Sequence, residues 1–278
     1  MRRRGRSQRA QRLSVPVIGF LDATTAADTI YRVSAFRDGL KEAGFIDGHN
    51  VAIELRWAEN KFDRLPALAA DLVHRQVAVI VGPNTAMRAV RTATSTIPIV
   101  FVNVSDPIGA GFVDSLARPG GNLTGLLHYE AGIFGKWLAL LKEIAPHLAR
   151  AALVANPKNP VYDYFLRSAN ATAPLIAIEL VPGPVENAAD IARFFENFAR
   201  MPDSGLLVPP DVMTMTYRDL IVALAARHRL PAVYSFRLFV TAGGLMSYGT
   251  DQVDMFGQTA SYIDRILRGA KPADEVIE

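Results

Sequence analysis

The chain contains no cysteine in its 278 residues, and it contains no apolar run of the roughly 18 residues or more that a membrane-spanning helix needs. The first absence excludes disulfide bonds, thiol catalysis and cysteine-ligated metal sites, and it leaves the redox compartment open. The second absence predicts that no segment of the chain spans a membrane.

The usual motifs of hydrolases, metalloenzymes and nucleotide-binding proteins are incomplete or missing. The histidines form no HxH or HExxH pair that could hold zinc. Ser247 lies in the segment LMSYG, where Leu245 replaces the first glycine of a nucleophile elbow. Gly109 and Gly111 lack the third glycine of a dinucleotide fingerprint, and no Walker-type phosphate loop occurs. The sequence therefore predicts a protein without catalytic activity, bound metal or cofactor.

The formal net charge of +3 hides an uneven distribution of charge. Six arginines and no acidic residue precede Leu13, and the remaining 24 basic and 27 acidic residues leave the rest of the chain near −3. A folded body of that charge offers no basic face to DNA or RNA. We therefore predict no nucleic-acid partner for the folded part of the protein.

Residues 1–14 are predicted to form a disordered basic tail. They resemble the positive region that begins an export signal, but no apolar segment follows before Ser14 and the first strand. Three interpretations stay open: a displaced start codon that loses the apolar part of a leader, a disordered tail on a cytoplasmic protein, and a weak nucleic-acid arm.

Short apolar runs alternate with amphipathic segments in the first half of the chain. Strands are predicted at 15–21, 51–57, 77–81 and 99–102, with helices between them. The same rhythm restarts near residue 129, with strands predicted at 151–155, 174–181, 205–208 and 232–235 and helices at 133–144, 188–199 and 213–229. A βαβ order of this kind predicts parallel sheets covered by helices on both faces. The fold class is therefore α/β, with two Rossmann-like, doubly wound lobes.

The segment after Thr241 is too short to form a third unit. It contains the predicted strand LMSYG and a helix at 252–268, which we expect to complete the first sheet. The first lobe is accordingly predicted to comprise residues 15–124 and 245–278, and the second lobe residues 125–244. The chain would pass between the lobes near Gly121 and again near Gly243, which predicts a multi-strand hinge beside a cleft.

Short polar residues follow the predicted strands of both lobes. Because ligands of open α/β sheets bind at the carboxyl ends of strands, we predict that ten of these residues bind a small polar ligand. They are Asp22, Thr24, Asn84, Thr85, Ser105, Asp106, Asn156, Asn159, Asp211 and Ser235. The turn before Thr85 enters a helix whose free N–H groups favour a carboxylate. For each position the alternative is a plain helix-capping or turn-capping role.

Five aromatic residues lie near the predicted domain edges and could enclose a planar ligand. They are Tyr31, Tyr129, Tyr162, Tyr234 and Phe236. Aromatic side chains at such positions also serve as ordinary packing, so both interpretations stay open.

Several long segments are similar to a known family. They are PVIGFL at 16–21, FRDGLKEAGFIDGHNVAIELRWAENKFDRLPALAADLV at 36–73, STIPIVF at 95–101, SLARPGGNLTG at 115–125 and AGGLMSYGTD at 242–251. With these segments the chain resembles the ABC transporter substrate-binding protein family that includes tryptophan and tyrosine uptake receptors and has the type I periplasmic-binding-protein fold. The resemblance extends from Val15 to about Asp274.

The resemblance implies a receptor without catalytic activity, whose lobes close on a solute and then dock on membrane permease subunits in the periplasm. It places the predicted residues between Asp22 and Asp106 on one wall of the cleft and those between Asn156 and Ser235 on the opposite wall. Members of the family begin with an apolar export leader and extend some tens of residues beyond the segment KPAD at 271–274. The chain departs from this pattern at both ends, so a cytoplasmic location stays open.

Three functional hypotheses follow. In the first, the protein is the substrate-binding component of an ABC transporter, and it captures a small amino acid-like or aromatic carboxylate ligand for a membrane permease. In the second, it is the ligand-sensing effector module of a regulatory protein, because repressor effector domains share the two-lobe order. The Arg-rich residues before Val15 do not supply the helix-turn-helix that this second hypothesis needs. An enzyme that uses a cleft carboxylate such as Asp106 is the least favoured interpretation.

Overall fold

The computed structural model describes residues 15–128, 132–159 and 161–278. The predicted tail at 1–14 and the aromatic residue Tyr129 lie outside these ranges. Within them, the chain forms two five-stranded parallel sheets, each covered by helices on both faces. The predicted α/β architecture of two doubly wound lobes is therefore confirmed.

The first sheet is built mostly from strands that are almost continuously apolar. In spatial order its strands are β2 (Ala52–Trp57), β1 (Val17–Asp22), β3 (Val79–Pro83), β4 (Ile99–Val104) and β5 (Leu123–Leu127). All neighbouring strands are parallel. Except for β2, a half-buried edge strand in which Glu54 and Arg56 alternate with apolar residues, these strands are buried on both faces, which explains why they read as apolar runs.

The second sheet repeats this design. In spatial order its strands are β10 (Met246–Ser247), β9 (Ala232–Tyr234), β8 (Ser204–Val208), β6 (Arg150–Ala155) and β7 (Glu179–Pro184). These strands are also parallel to their neighbours.

Helices cover the faces of both sheets. They are α1 (Ala26–Glu42), α2 (Leu65–His74), α3 (Asn84–Ala93), α4 (Ile133–Ile144), α5 (Tyr162–Thr172), α6 (Ala188–Phe198), α7 (Val212–Thr216), α8 (Arg218–Arg227), α9 (Arg237–Thr241) and α10 (Gln252–Leu267). α1 and α10 cover one face of the first sheet, and α2 and α3 cover the other. In the second lobe α4 and α5 lie on one face, and α6 and α8 on the other. No helix among the described residues is both long and apolar enough to cross a membrane.

The prediction that the strand at LMSYG completes the first sheet is wrong. β10 pairs with β9 and therefore extends the second sheet, not the first. Successive strands of a parallel sheet commonly lie side by side when a helix connects them, and the short helix α9 supplies that connection. Trp137 Nε1 also donates to the carbonyl oxygen of Tyr248 at 2.7 Å, which holds the segment after β10 against the second lobe.

The first passage between the lobes also differs from its predicted place near Gly121. β5 follows that turn and pairs with β4, so the first sheet continues through Leu127 and the chain leaves it after His128. Gly125 has φ +148, and a β-carbon there would overlap the backbone of Phe101. Glycine at this position therefore permits the close approach of β5 to β4. The second passage lies between β10 and α10, after residue 247, and not near Gly243.

Two further predictions of secondary structure are wrong in detail. The strand predicted at 174–181 begins as a 3-10 helix at Ala173–Ile176, because Pro174 has a fixed φ that suits a first helical turn. β7 starts only at Glu179, after Ala177 has reversed the chain in a left-handed conformation. The single helix predicted at 213–229 is divided into α7 and α8 at Tyr217.

Candidate functional site

A cavity of about 270 Å³ lies between the two lobes. The first lobe contributes residues that follow β1, β3 and β4, and the second lobe contributes the loops after β6 and β8. The carboxyl ends of the strands thus meet at the cavity from both sheets, as expected for a ligand site in open α/β folds. Ligand pockets usually begin at roughly 300 Å³, so this cleft suits a small solute.

Seven of the ten residues predicted to bind a ligand line this cavity. They are Asp22, Thr24, Asn84, Thr85, Ser105, Asn159 and Asp211. The first five belong to the first lobe and the other two to the second. The structure therefore brings these residues together around one cavity, although they are far apart in the sequence.

Asp22 ends β1 and forms the centre of a buried network on the first-lobe wall. Its Oδ1 accepts hydrogen bonds from the backbone nitrogen of Thr24 at 2.9 Å and from Thr24 Oγ1 at 2.8 Å. Its Oδ2 lies 3.3 Å from Nη1 of Arg32, and Arg32 Nη2 donates to Thr24 Oγ1 at 3.3 Å. Only 1% of Asp22 and 8% of Arg32 are exposed. The opposite charges compensate each other in a place where water is largely excluded, and they fix the geometry of this strand end.

The start of α3 forms a second part of the first-lobe wall. Asn84 and Thr85 are its first two residues, and both line the cavity. Among the described residues no side chain caps this helix end, so the N–H groups of its first turn lack partners within the helix. A helix N-terminus also carries partial positive charge. Ser105 adds a buried hydroxyl to the same wall, which therefore suits an anionic group such as a carboxylate.

Asn159 and Asp211 form the polar part of the second-lobe wall. Asn159 Nδ2 donates to Asp211 Oδ2 at 2.8 Å, and the backbone nitrogen of Thr214 donates to Asp211 Oδ1 at 3.0 Å. Burial raises the pKa of Asp211 above its ordinary value, although these hydrogen bonds oppose the shift. A desolvated carboxylate of this kind is stabilised when a cation approaches it, so this wall suits an ammonium group.

Aromatic and aliphatic side chains form the remaining walls. Tyr31 comes from the first lobe, and Phe165 and Phe236 come from the second. Tyr31 Oη donates to Gln252 Oε1 at 2.5 Å, and burial raises the pKa of Tyr31, which keeps the hydroxyl protonated. Val212 packs into an apolar cluster of the first lobe, so the two lobes are in contact beside the cavity.

Three predicted residues lie outside the lining of this cavity. Asp106 Oδ1 accepts from the backbone nitrogen of Gly109 at 2.8 Å, and Asn156 Oδ1 accepts from that of Lys158 at 2.9 Å. Both side chains therefore cap turns, as the alternative interpretation proposes. Ser235 is buried and lines a neighbouring cavity of about 400 Å³ beside the connection between β10 and α10.

The aromatic residues singled out in the sequence are likewise divided. Tyr31 and Phe236 line the cleft. Tyr234 is stacked on Phe239 inside the second lobe, with ring centroids 4.7 Å apart, and burial raises its pKa to about 12. Tyr162 belongs to the apolar cluster beneath α4 and α5. These two residues are packing residues.

Sequence reasoning missed several residues of the cleft, including Arg32, Asn103, Phe165, Arg218 and Gln252. Asn103 is the penultimate residue of β4, so the expectation that ligands bind at the carboxyl ends of strands could have included it. Arg32 interrupts the buried stripe of α1, which is a signal because a buried arginine requires a partner. The other three are surface-like polar or core-like aromatic residues in the sequence, and nothing local distinguishes them.

The cleft therefore combines charges of both signs with apolar walls. Asp22, Asp28 and Asp211 supply carboxylates, and Arg32 and Arg218 supply guanidinium groups. Within the described ranges no group of three or more histidine, aspartate or glutamate residues is arranged to hold a metal ion. The arrangement can bind a small molecule that carries both charges and an apolar part.

One relative and two solved structures are each similar to this chain at 25% identity. A tyrosine-binding protein of Clostridioides difficile is 25% identical over 240 residues, which cover 86% of this chain and 69% of that protein. The crystal structure of an ABC domain in complex with L-Trp from Streptococcus pneumoniae has a TM-score of 0.87 and 25% identity, with 95% of this chain and 89% of that chain covered. A conserved domain protein from Vibrio cholerae has a TM-score of 0.88 and 25% identity, with 95% and 88% covered.

The family model described as ABC transporter substrate binding protein matches residues 14–278, which include every described element of both lobes and the whole lining of the cleft. The chain therefore belongs to the ABC transporter substrate binding protein family.

Proposed function

We propose that this protein captures an amino acid with an aromatic or other apolar side chain in the cleft between its lobes and delivers it to the permease of an ABC transporter. The observation that carries the proposal is the composition of the cleft, which places carboxylates, guanidinium groups and an uncapped helix start around aromatic side chains. An amino acid is a zwitterion with a side chain, so it offers a partner to each of these features. The relatives named for tyrosine and for L-Trp support this ligand class.

The carboxylate of the ligand is proposed to lie at the start of α3. The first-turn N–H groups of Asn84 and Thr85 and the hydroxyl of Ser105 supply donors there. A carboxylate in this place gains from the partial positive charge of the helix start, and its desolvation is offset by hydrogen bonds.

The ammonium group is proposed to lie near the carboxylates of the cleft. Asp22 is already compensated by Arg32, whereas Asp211 accepts only neutral donors among the described residues. A cation beside Asp211 would therefore relieve the cost of burying its negative charge. For this reason we assign Asp211 as the main partner of the ammonium group.

The side chain of the ligand is proposed to lie among Tyr31, Phe165 and Phe236. These rings come from both lobes, so an apolar group between them is buried only when the lobes are close together. The burial of apolar area then favours the closed arrangement, because the ligand contacts both walls there and only one wall when the cleft is open.

The protein acts as a receptor in this proposal and not as an enzyme. The residues of the cleft bind and orient a solute, and no step of covalent chemistry is required of them. The family supports a periplasmic location and a permease as the partner that receives the solute.

The proposal is tested by a binding screen with the purified protein. L-Tryptophan, L-tyrosine, other L-amino acids, tryptamine and 3-indolepropionate are compared by thermal shift and by calorimetry. A ligand at about 100 times its dissociation constant stabilises the folded state by about 2.7 kcal/mol, which is a shift of several degrees in Tm. We expect such a shift with at least one aromatic or apolar L-amino acid and a weaker one with the two analogues that lack one charge.

Asp211→Asn and Asp106→Asn form a matched pair for the same screen. Both substitutions remove one carboxylate, but only Asp211 lines the cleft. We expect Asp211→Asn to weaken binding at least about tenfold and Asp106→Asn to leave binding unchanged. A wild-type protein that binds none of the amino acids, or equal effects of the two substitutions, would contradict the proposal.

A further inference from the structure

Asn103 lines the cleft and carries an amide of which one end has no partner among the described residues. It is the penultimate residue of β4 and has φ +59, a left-handed conformation that asparagine tolerates better than most residues, at the point where the register of β4 and β5 shifts. The residue is only 8% exposed, and its Nδ2 has no hydrogen-bond partner among the described residues. Because a buried donor without an acceptor is costly, its place in the cavity lining points to an acceptor on the ligand.

The other end of this amide faces His128. Asn103 Oδ1 lies 3.2 Å from Nδ1 of His128, which is 1% exposed and immediately follows β5. Thr250 Oγ1 lies 2.9 Å from the same nitrogen, and the ring centroid of Phe236 lies 5.4 Å from that of the imidazole. The backbone nitrogen of His128 donates to the carbonyl oxygen of Val104 at 2.8 Å. The imidazole is therefore held in place from several sides.

The position of one proton on the imidazole decides which end of the amide faces the cleft. Burial lowers the pKa of His128 to about 3, so the ring is neutral at physiological pH and carries a single N–H. Asn103 Oδ1 is an acceptor, so its contact with Nδ1 is a hydrogen bond only if Nδ1 carries the proton. The opposite tautomer would turn an unprotonated nitrogen toward the amide and favour Nδ2 at that place, with Oδ1 toward the cleft.

We propose that His128 is a positioning residue that holds Asn103 with its amide NH₂ toward the cleft, and that this NH₂ selects ligands by an acceptor oxygen. In an amino acid that oxygen belongs to the carboxylate, so this ligand assignment rests on the proposed function. The start of α3 and Asn103 line the same cavity, and together they form one donor site for the carboxylate.

His128 also lies where both connections between the lobes come close to the cleft. It precedes the first connection, Thr250 lies in the second, and Phe236 belongs to the second lobe. The direction of the Asn103 amide is therefore set by contacts from both lobes, and not by the strand that carries it.

Two substitutions of His128 separate positioning from packing. The side-chain amide nitrogen of Asn is three bonds from Cα, as Nδ1 of His is, whereas that of Gln is four bonds away, as Nε2 is. We expect His128→Asn to restore a donor for Asn103 Oδ1 and keep the affinity for L-tryptophan within about threefold of wild type. His128→Gln lacks a donor at that place, so the affinity should fall at least about tenfold.

Asn103→Asp tests the ligand side of the proposal. The substitution keeps the shape of the side chain and turns an oxygen toward the cleft, so it should repel a carboxylate. We expect calorimetry to give at least about 100-fold weaker binding of L-tryptophan and no weakening for tryptamine, which lacks the carboxylate. Melting curves of each variant establish that it is folded.

The tautomer of His128 is measured directly in the wild type from the nitrogen chemical shifts of ¹⁵N-labelled histidine. An Nδ1–H tautomer supports the proposal, and an Nε2–H tautomer overturns it without any ligand or variant. Equal effects of His128→Asn and His128→Gln, or full retention of L-tryptophan binding by Asn103→Asp, would also overturn it. If the wild type binds neither L-tryptophan nor L-tyrosine, the proposed function fails, and the tautomer alone then decides the role of His128.

Discussion

The carbonyl oxygen of Gly257 in α10 occupies the space in which a β-carbon on Gly39 of α1 would stand. The two helices therefore approach each other at the level of their backbones, and they bury Phe36 and Phe256 against Phe20 of the first sheet. A β-carbon on Gly257 would cause no such overlap, because its nearest neighbour would be the backbone oxygen of Ala35 at an ordinary contact distance of 3.7 Å. This asymmetry gives a matched pair of substitutions.

Gly39→Ala should destabilise the protein by about 1–3 kcal/mol, because the added methyl group forces α1 and α10 apart. Gly257→Ala should be neutral or stabilising by up to about 1 kcal/mol, since alanine is the better helix former and the space is open. Urea denaturation followed by circular dichroism measures both values. Equal stabilities of the two variants would show that the helices are not in backbone contact.

Asp22 and Arg32 should be strongly coupled in their effect on stability. Arg32→Met leaves the buried carboxylate of Asp22 without compensation, so we expect a loss of about 3 kcal/mol or more. Asp22→Asn leaves the buried guanidinium uncompensated in the same way. The double variant should lose clearly less than the sum of the two single variants, because neither charge remains.

The control for this cycle is the exposed pair of Arg268 and Asp264 in α10. Arg268→Ala should cost less than about 1 kcal/mol, as exposed ion pairs usually do. Denaturation curves at pH 7 provide all four stabilities. Additive effects of the Asp22 and Arg32 substitutions would mean that the buried pair is not formed.

His128 should make the protein less stable in mild acid. Its pKa is about 3 in the folded state because of burial, against about 6.5 when unfolded. As the pH falls, His128 therefore takes up a proton in the unfolded state before it does so in the folded state. The contribution of neutral His128 to the free energy of unfolding is fully present above pH 6.5 and is lost progressively down to pH 3. Between pH 8 and pH 5 this linkage amounts to about 2 kcal/mol.

His128→Asn removes the titrating group. Between pH 8 and pH 5 the free energy of unfolding of this variant should therefore fall by about 2 kcal/mol less than that of the wild type. His147 is exposed and provides the control, because His147→Asn should leave the pH profile unchanged. The free energy of unfolding is measured at half-unit steps of pH. An acid loss of the same size in His128→Asn would attribute it to other groups.

Asn159 and Asn156 should differ in their effect on ligand affinity. Each side chain accepts a hydrogen bond from a backbone nitrogen two residues later, but only Asn159 lines the cleft and donates to Asp211. Asn159→Ala should therefore weaken the binding of L-tryptophan at least about tenfold, and Asn156→Ala should leave it nearly unchanged. Calorimetry gives both dissociation constants, and a large effect of Asn156→Ala would contradict the assigned wall.

The expectation that ligands bind at strand ends pointed to seven residues of the cleft lining, because parallel strands bring their carboxyl ends to one edge. Asp22, Asn84 and Ser105 follow three different strands and line one cavity for this reason. Asp106 and Asn156 lie outside that lining, because a side chain at a strand end can equally turn back to cap its own loop. The sequence pattern of an acidic or amide residue before a turn is the same in both cases.

The hinge was misplaced for a different reason. The turn before Asn122 looks like the end of the first unit, yet β5 adds a further strand after it, and Gly125 permits the close pairing. The strand at Met246 has only two residues in its ladder, so its own sequence carries little information about its partner. Its sheet is decided by α9 and by the hydrogen bond from Trp137, which is distant in the sequence.

The sequence by itself determined that this protein has two doubly wound α/β lobes with polar strand ends, because local periodicity and turn residues act over a few neighbouring positions. The tertiary structure alone decided which polar groups line the cleft and which sheet contains β10. It also decided that Arg32 contacts Asp22 and that His128 contacts Asn103. These relationships join residues that are 10 to more than 100 positions apart, as between Asp22 and Arg32 or His128 and Thr250. No local pattern specifies such pairs, because they depend on how whole helices and sheets pack.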